Sequence, residues 1–166
     1  MIHSSTSQLI NEQVGHEMAA FLQYVALSCW LESEVLPELS KYFAKQADEE
    51  RSHAMKMLGY LNDTDQKITI PAIPQPVSSF ASVEEAIVLA HAQELRVTQQ
   101  IEAIYNKASE HGDRLTQNFM QWFLEEQVEE VSAMDALLKI TRRAENNLFR
   151  IEDYIARTGH PEDVQA

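Results

Sequence analysis

Glu50 and His53 are a pair of side chains that could bind a metal ion. They stand three positions apart, so on an α-helix a carboxylate and an imidazole leave the same face and can bind one ion together. The pair alone proves little, because 19 glutamates and 6 histidines in 166 residues give roughly 0.7 such pairs by chance. Its meaning therefore depends on the elements that position it.

The hydrophobic pattern predicts an all-α protein, a four-helix bundle with a short C-terminal fifth helix. Apolar residues recur at three- and four-residue steps, and only 4 glycines and 5 prolines interrupt the chain. The helices are predicted at residues 5–33, 37–63, 82–111, 114–143 and 146–157, with a frayed tail at 159–166. Pro71, Pro74 and Pro76 make 65–81 an extended crossover. A crossover of that length favours parallel second and third helices.

Composition excludes several classes of function. The net charge of −13 argues against nucleic-acid or anionic-membrane partners, and no apolar stretch approaches the ~20 residues of a membrane span. A lone cysteine, Cys29, rules out an internal disulfide and fits a reducing compartment. The N-terminus lacks the basic and apolar regions of a signal peptide. We therefore expect a cytoplasmic protein with one domain over residues 1–166, whose acidic surface either attracts cations or only keeps it soluble.

The spacing of four polar residues links the predicted helices in pairs. Glu17 and Glu50 are 33 positions apart, and so are Glu94 and Gln127. Each midpoint falls where the helical pattern breaks, and residues equidistant from the turn of an antiparallel helix pair lie at the same level. Glu17 is therefore expected to face Glu50 and His53, and Glu94 to face Gln127 and Glu130, in the middle of one bundle.

Carboxylates buried at this level need a cation. An unpaired carboxylate in an apolar core costs several kcal/mol or takes up a proton, whereas carboxylate oxygens with one imidazole suit iron or manganese. Taken singly, each glutamate is more often a surface acid, on a helix whose buried apolar face does not extend as far as that residue. The shared spacing favours a two-metal site instead. Its candidate ligands are Glu17, Glu50, His53, Glu94 and Glu130.

Three further acids, Glu49, Glu126 and Glu129, adjoin this set. They lie about 100° round the helix or one turn along from the candidate ligands. Two interpretations are open from spacing alone: the acids bind a third ion, or they form a solvated face with helical ion pairs. Tyr24 and Trp122 lie within two turns of a candidate ligand. They either donate electrons or protons to the site or, as is commoner, are aromatic residues of the core.

Together these residues resemble the bacterial non-haem ferritins over nearly the whole chain. The motifs that carry the resemblance are Glu17, Asp48-Glu49-Glu50-Arg51-Ser52-His53, Glu94 and Trp122-Phe123-Leu124-Glu125-Glu126-Gln127-Val128-Glu129-Glu130. The resemblance implies a ferritin-like fold and a hollow homo-oligomeric cage of twenty-four subunits. Such a cage oxidises Fe²⁺ with O₂ or H₂O₂ and stores it as ferric mineral.

The resemblance also implies two irons per subunit, with a third site beside them. One iron would be held by Glu17, Glu50 and His53, and the other by Glu50, Glu94 and Glu130. Gln127 would neighbour the second iron, while Tyr24 and Trp122 match the aromatic residues beside the centre. The third site would comprise Glu49, Glu126, Glu129 and Glu130.

No haem is expected. Haem-binding relatives are similar in fold but carry a second Glu-x-x-His on the fourth helix, where this chain has Gln127-x-x-Glu130. The methionine that would bind haem is expected beside the second-helix motif, where this chain has Ser52.

Two other functions fit the same residues. One is a di-iron oxidase or peroxidase that uses the same bundle without storing iron. The other is a metal-free helical bundle that serves as an interaction module with solvated acids. Iron loading far above three ions per subunit would exclude the first, and absence of Fe²⁺ binding would favour the second.

Overall fold

The chain folds as a bundle of α-helices. The computed structural model describes residues 2–145 and 147–160, and within these ranges it contains no β-strand. The helices are α1 (Ser4–Ser33), α2 (Pro37–Asp63), α3 (Val83–Glu110), α4 (Arg114–Arg143) and α5 (Leu148–Thr158). The predicted four-helix bundle with a short fifth helix is thus confirmed. None of the helices in the described ranges is both long and apolar enough to span a membrane.

The helix ends lie close to those that the sequence pattern predicts. The first four helices begin and end within one residue of their predicted bounds. The predicted start of the fifth helix, at position 146, falls outside the described residues. This helix begins at Leu148 and is capped by the side chain of Asn147.

Local hydrogen bonds determine where α3 and α4 begin. Ser82 Oγ accepts a hydrogen bond from the Glu85 backbone N–H at 3.1 Å, and the Glu85 carboxylate accepts one from the Ala81 N–H at 2.6 Å. Asp113 caps α4 by accepting from the Thr116 N–H at 3.1 Å. The bonds from the Glu85 and Thr116 N–H groups satisfy amides that the first turn of a helix leaves without partners. They therefore set the level of every side chain further along both helices.

Two apolar clusters fill the described part of the bundle, one toward each end. One cluster joins the start of α1, the ends of α2 and α3 and the start of α4, with Ile10, Leu61, Ile104 and Met120 among its members. The other joins the opposite ends of the same helices and includes Leu31, Leu39, Ile87 and Leu138. Because α2 and α3 contribute corresponding ends to each cluster, they run parallel, as the long crossover predicts.

The crossover between α2 and α3 is held along α1 by two amide side chains. Asn11 donates to the Lys67 carbonyl at 3.1 Å and accepts from the Thr69 N–H at 2.6 Å. Further along α1, Gln23 donates to the Val77 carbonyl at 2.8 Å and accepts from the Val77 N–H at 2.9 Å. These bonds satisfy backbone groups of a segment that belongs to no helix or strand.

Gly15 allows the crossover to approach α1 closely. A Cβ atom at Gly15 would lie 2.2 Å from Cγ and 3.0 Å from Cδ of Pro71. The first distance is far inside van der Waals contact, so the absence of a side chain at position 15 is a packing requirement. It carries a cost in helix propensity of about 1 kcal/mol relative to alanine.

Glu152 fixes α5 to the start of α2. Its two carboxylate oxygens accept hydrogen bonds from the backbone N–H groups of Glu38 and Leu39, each at 2.9 Å. They take the place of a capping side chain, because the N-cap residue of α2 makes no such bond. Ile151 and Ile155 bury the apolar side of α5 in the bundle. The short helix therefore has the packing surface that its length requires.

The prediction of a frayed tail from residue 159 is wrong at His160. His160 is only 4% exposed, and its ring centroid lies 4.6 Å from that of Tyr42. Gly159 has φ +68°, a conformation that glycine adopts without strain and that ends a helix with a change of direction. The remainder of the predicted tail, 161–166, lies outside the described residues.

Candidate metal centre

Four acids and a histidine from all four long helices meet between the two apolar clusters. One ligand atom from each of Glu17, Glu50 and His53 lies within 4.8 Å of the others, and the same holds for Glu50, Glu94 and Glu130. All five side chains are buried, and Glu17, Glu50 and Glu94 are 0% exposed. The structure thus brings together every candidate ligand that the 33-residue spacing indicates, with Glu50 common to both groups.

Gln127 positions the acids of α3 and α4. It is 3% exposed, and its Nε2 donates to Glu94 at 3.4 Å and, more closely, to Glu130. Thr98 donates to the Gln127 Oε1 atom at 2.7 Å. The amide nitrogen of Gln127 faces the two acids, so Gln127 acts in the centre as a hydrogen-bond donor.

Two further donors hold one oxygen of their acids. Gln13 Nε2 donates to Glu17 Oε1 at 2.8 Å, and the Tyr24 hydroxyl donates to Glu94 Oε1. Tyr24 is fully buried, and its ring packs on Phe43 with 5.7 Å between centroids. Tyr24 therefore lies beside the candidate ligands, as the sequence predicts.

Other carboxylate oxygens of the centre have no such donor. Oε2 of Glu17 and both oxygens of Glu50 are buried without a hydrogen-bond partner among the described residues. A buried polar atom left unsatisfied costs about 1–3 kcal/mol, and more when it is charged. A cation removes that cost. Four carboxylates and one imidazole fit two ions of the iron or manganese type, with Glu50 shared between them.

Without a cation, the centre favours protonated acids. Burial raises the pKa of Glu17 to about 7. Burial, followed by the charges of Glu94 and Glu130, raises the pKa of Glu50 well above its ordinary range. Burial also raises the pKa values of Glu94 and Glu130. Because metal ligands must be deprotonated, cation binding would release protons from these groups.

His53, in contrast, is held neutral. Burial, and then the positive charge of Lys56, lower the pKa of His53 to about 4, so one ring nitrogen keeps a lone pair for a metal. Its Nδ1 atom lies 3.7 Å from Glu50 Oε2 and 3.8 Å from Glu130 Oε1. Trp122 packs edge-on against His53, and the Lys56 ammonium lies 3.1 Å from the centroid of Trp122. Trp122 thus lies beside the centre, as predicted, but under a positive charge that helical periodicity did not indicate.

Glu49, Glu126 and Glu129 border a small cavity next to this centre. The cavity has a volume of about 30 Å³, and Glu130 lines it as well. These acids do not form a group as tight as the two that share Glu50, since only those two have all their ligand atoms within 4.8 Å in the described part of the chain. His160 also lines the cavity. The hydrophobic periodicity gave no indication of His160, because only the packing of α5 on the bundle brings this residue close to α2.

Known proteins with similar sequences and structures place this chain in one family. The ferritin-like domain model matches residues 7–144. Ferritin BfrB of Mycolicibacterium smegmatis is 46% identical over 149 residues, which cover 90% of this chain and 82% of that protein. The bacterial non-heme ferritin of Campylobacter jejuni is 29% identical over 158 residues, covering 93% and 95%. An open-pore ferritin from the archaeon Archaeoglobus fulgidus superimposes with a TM-score of 0.90 at 25% identity, covering 93% and 96%. The chain therefore belongs to the ferritin family.

Proposed function

We propose that this chain is an iron-storage ferritin that oxidises Fe²⁺ at a two-iron centre inside each subunit. The observation that carries the proposal is the pair of buried ligand groups that share Glu50. Glu50 is 0% exposed and neither of its oxygens has a hydrogen-bond partner among the described residues. An acid in that environment needs a cation or a proton, and its neighbours supply the ligands for two cations.

In this proposal, the two Fe²⁺ ions are substrates held side by side. Glu17, Glu50 and His53 bind one ion, and Glu50, Glu94 and Glu130 bind the other. Each Fe²⁺ gives one electron, so that O₂ with two protons becomes H₂O₂, or H₂O₂ with two protons becomes two waters. Paired donors avoid a free one-electron oxygen radical. Acids with raised pKa values release protons as Fe²⁺ binds, which places protons where the oxidant consumes them.

The surrounding side chains have supporting roles. Gln127 keeps Glu94 and Glu130 in place through its two hydrogen bonds. The Tyr24 hydroxyl, in contact with Glu94, is placed to supply a further proton or electron. Glu49, Glu126 and Glu129, with Glu130, would bind a third iron.

We further propose that the subunits form a cytoplasmic homo-oligomeric cage of twenty-four. Family membership supports this assembly, and a closed shell is what ferric mineral requires as a container. The surplus of 26 acidic over 13 basic residues favours attraction of Fe²⁺. The same negative charge disfavours nucleic-acid and anionic-membrane partners.

The test is an anaerobic Fe²⁺ titration followed by admission of air, read by near-ultraviolet absorbance on protein sized beforehand. Glu50→Ala removes the shared ligand and should slow the first turnover by about tenfold or more. Glu129→Ala should alter later turnovers more than the first, and exposed Glu102→Ala on α3 serves as control. Oxidation by Glu50→Ala at the parental rate would show that the centre is misplaced. Loading far above three irons per subunit distinguishes storage from a non-storing oxidase.

A further inference from the structure

We propose that His160, on the segment after α5, supplies an imidazole ligand to the cation site bounded by Glu49, Glu126 and Glu129. The resemblance to ferritins indicated only carboxylates at this place. The inference rests on the proposed function, because the cavity shares Glu130 with the two-iron centre. Its consequence is a site with both nitrogen and oxygen ligands, the nitrogen coming from a residue that follows α5.

The ring of His160 is fixed in the bundle. It is 4% exposed and packs against the ring of Tyr42 at 4.6 Å between centroids. The turn at Gly159 brings it there immediately after α5 ends, and Glu152 anchors α5 to the start of α2. Since α2 also carries Glu49, the imidazole and the acid are held by the same pair of helices.

The contacts of the two ring nitrogens indicate how the ring is used. Nε2 lies 3.2 Å from Gln46 Oε1. An amide oxygen only accepts, so Nε2 carries the hydrogen and donates it. Nδ1 lies 3.2 Å from Glu49 Oε1, and in the neutral ring it presents a lone pair toward that oxygen. Two such acceptors need a proton or a cation between them.

A cation between the two atoms fits this geometry as well as a proton does. A separation of 3.2 Å is close to that of neighbouring ligand atoms on one ion with bonds of roughly 2.0–2.2 Å. Histidines that bind metals almost always donate their other N–H to an oxygen, and Nε2 of His160 has that partner in Gln46.

Gln46 gives an independent indication that the cavity holds a ligand. The residue is 2% exposed and lines the cavity, and its Nε2 atom has no hydrogen-bond partner among the described residues. A buried donor of this kind requires an acceptor, such as a water bound to a cation. The volume of about 30 Å³ accommodates one ion or one water.

An imidazole also changes which cation the site prefers. Carboxylate oxygens alone suit Mg²⁺ and Ca²⁺, whereas carboxylates with an imidazole suit iron, zinc or manganese. His160 therefore biases the cavity toward Fe²⁺ and against the abundant hard cations. A site with that bias can accept iron beside the two-iron centre without being filled by Mg²⁺.

The first experiment is a calorimetric titration of the assembled, metal-free protein with Zn²⁺, a redox-inactive probe. The parent should bind three ions per subunit. His160→Gln should weaken one binding event by about tenfold or more and leave the other two unchanged, while exposed His16→Gln behaves as the parent. Three events of parental affinity in His160→Gln would overturn the proposal and leave His160 as the ion-pair partner of Glu49. Absence of the two other events from the parent would instead refute the two-iron centre.

A second measurement guards against a variant that merely displaces α5. Pulsed electron paramagnetic resonance on His53→Gln protein saturated with Mn²⁺ reports directly on nitrogen bound to the ion, and this variant lacks the imidazole of the main centre. Coupling to an imidazole nitrogen is expected, and it should vanish in His53→Gln/His160→Gln. No nitrogen coupling in the single variant would refute His160 as a ligand.

Discussion

Replacing Glu17 by glutamine should stabilise the metal-free protein at alkaline pH. Glu17 is 0% exposed, and burial raises its pKa from 4.5 to about 7. Between these values the folded state binds more protons than the unfolded state, so the free energy of unfolding falls as pH rises through this window and stays reduced above it. At about 1.4 kcal/mol per pKa unit, the loss is roughly 3 kcal/mol. Glutamine carries no charge and retains an oxygen to accept the bond from Gln13.

Scanning calorimetry of the metal-free parent and the Glu17→Gln variant at pH 5 and pH 8 measures this effect. At pH 8 the variant should unfold about 6–12 °C higher, at roughly 2–4 °C per kcal/mol for a chain of this size, and at pH 5 the difference should be much smaller. His53 contributes the opposite trend, since its lowered pKa makes stability rise as pH increases from about 4 to 6.5. That contribution is common to both proteins and cancels in the comparison.

Exposed Glu12, on the same helix, provides the matched control. Glu12→Gln should leave the difference between pH 5 and pH 8 unchanged. Addition of Zn²⁺ should raise the unfolding temperature of the parent more than that of Glu17→Gln, because the variant loses a ligand. A gain in the unfolding temperature of Glu17→Gln that is equal at both pH values would show that the cost does not come from ionisation of a buried acid.

Two further predictions concern the crossover and the tyrosine. Gly15→Ala should destabilise the fold by about 1–3 kcal/mol, because its Cβ would collide with Pro71. Gly59→Ala, with nothing within 4 Å of the new atom, should stabilise α2 by about 0.5–1 kcal/mol. The unfolding temperatures of the two variants should therefore shift in opposite directions, and a shift in the same direction would contradict the predicted collision. Tyr24→Phe should shift the pH midpoint of Zn²⁺ binding upward, because the tyrosine hydrogen bond lowers the pKa of Glu94; an unchanged midpoint in a pH series of titrations would count against that role.

Local sequence patterns specify the helices and the levels of the central acids along the bundle. Helix ends follow from local chemistry such as the Ser82 cap, and periodicity places Glu50 and His53 on one face of α2. The equal 33-residue spacings then predicted which side chains meet across each turn. This succeeds because an antiparallel helix pair with a short turn converts sequence distance into height with little freedom.

Contacts between residues that no short turn connects follow from the packing of the whole fold and could not be predicted from the sequence. Examples are the close packing of Pro71 on Gly15, the hydrogen bond from Tyr24 to Glu94 and the burial of His160 beside Glu49. Each depends on how segments that are far apart in the chain pack together, and periodicity within one helix carries no record of that packing. The pKa values of the acids belong here too, because they follow from burial and from neighbours on other helices. The grouping of the candidate ligands could thus be predicted from the spacing, whereas their electrostatics and the imidazole beside them required the assembled fold.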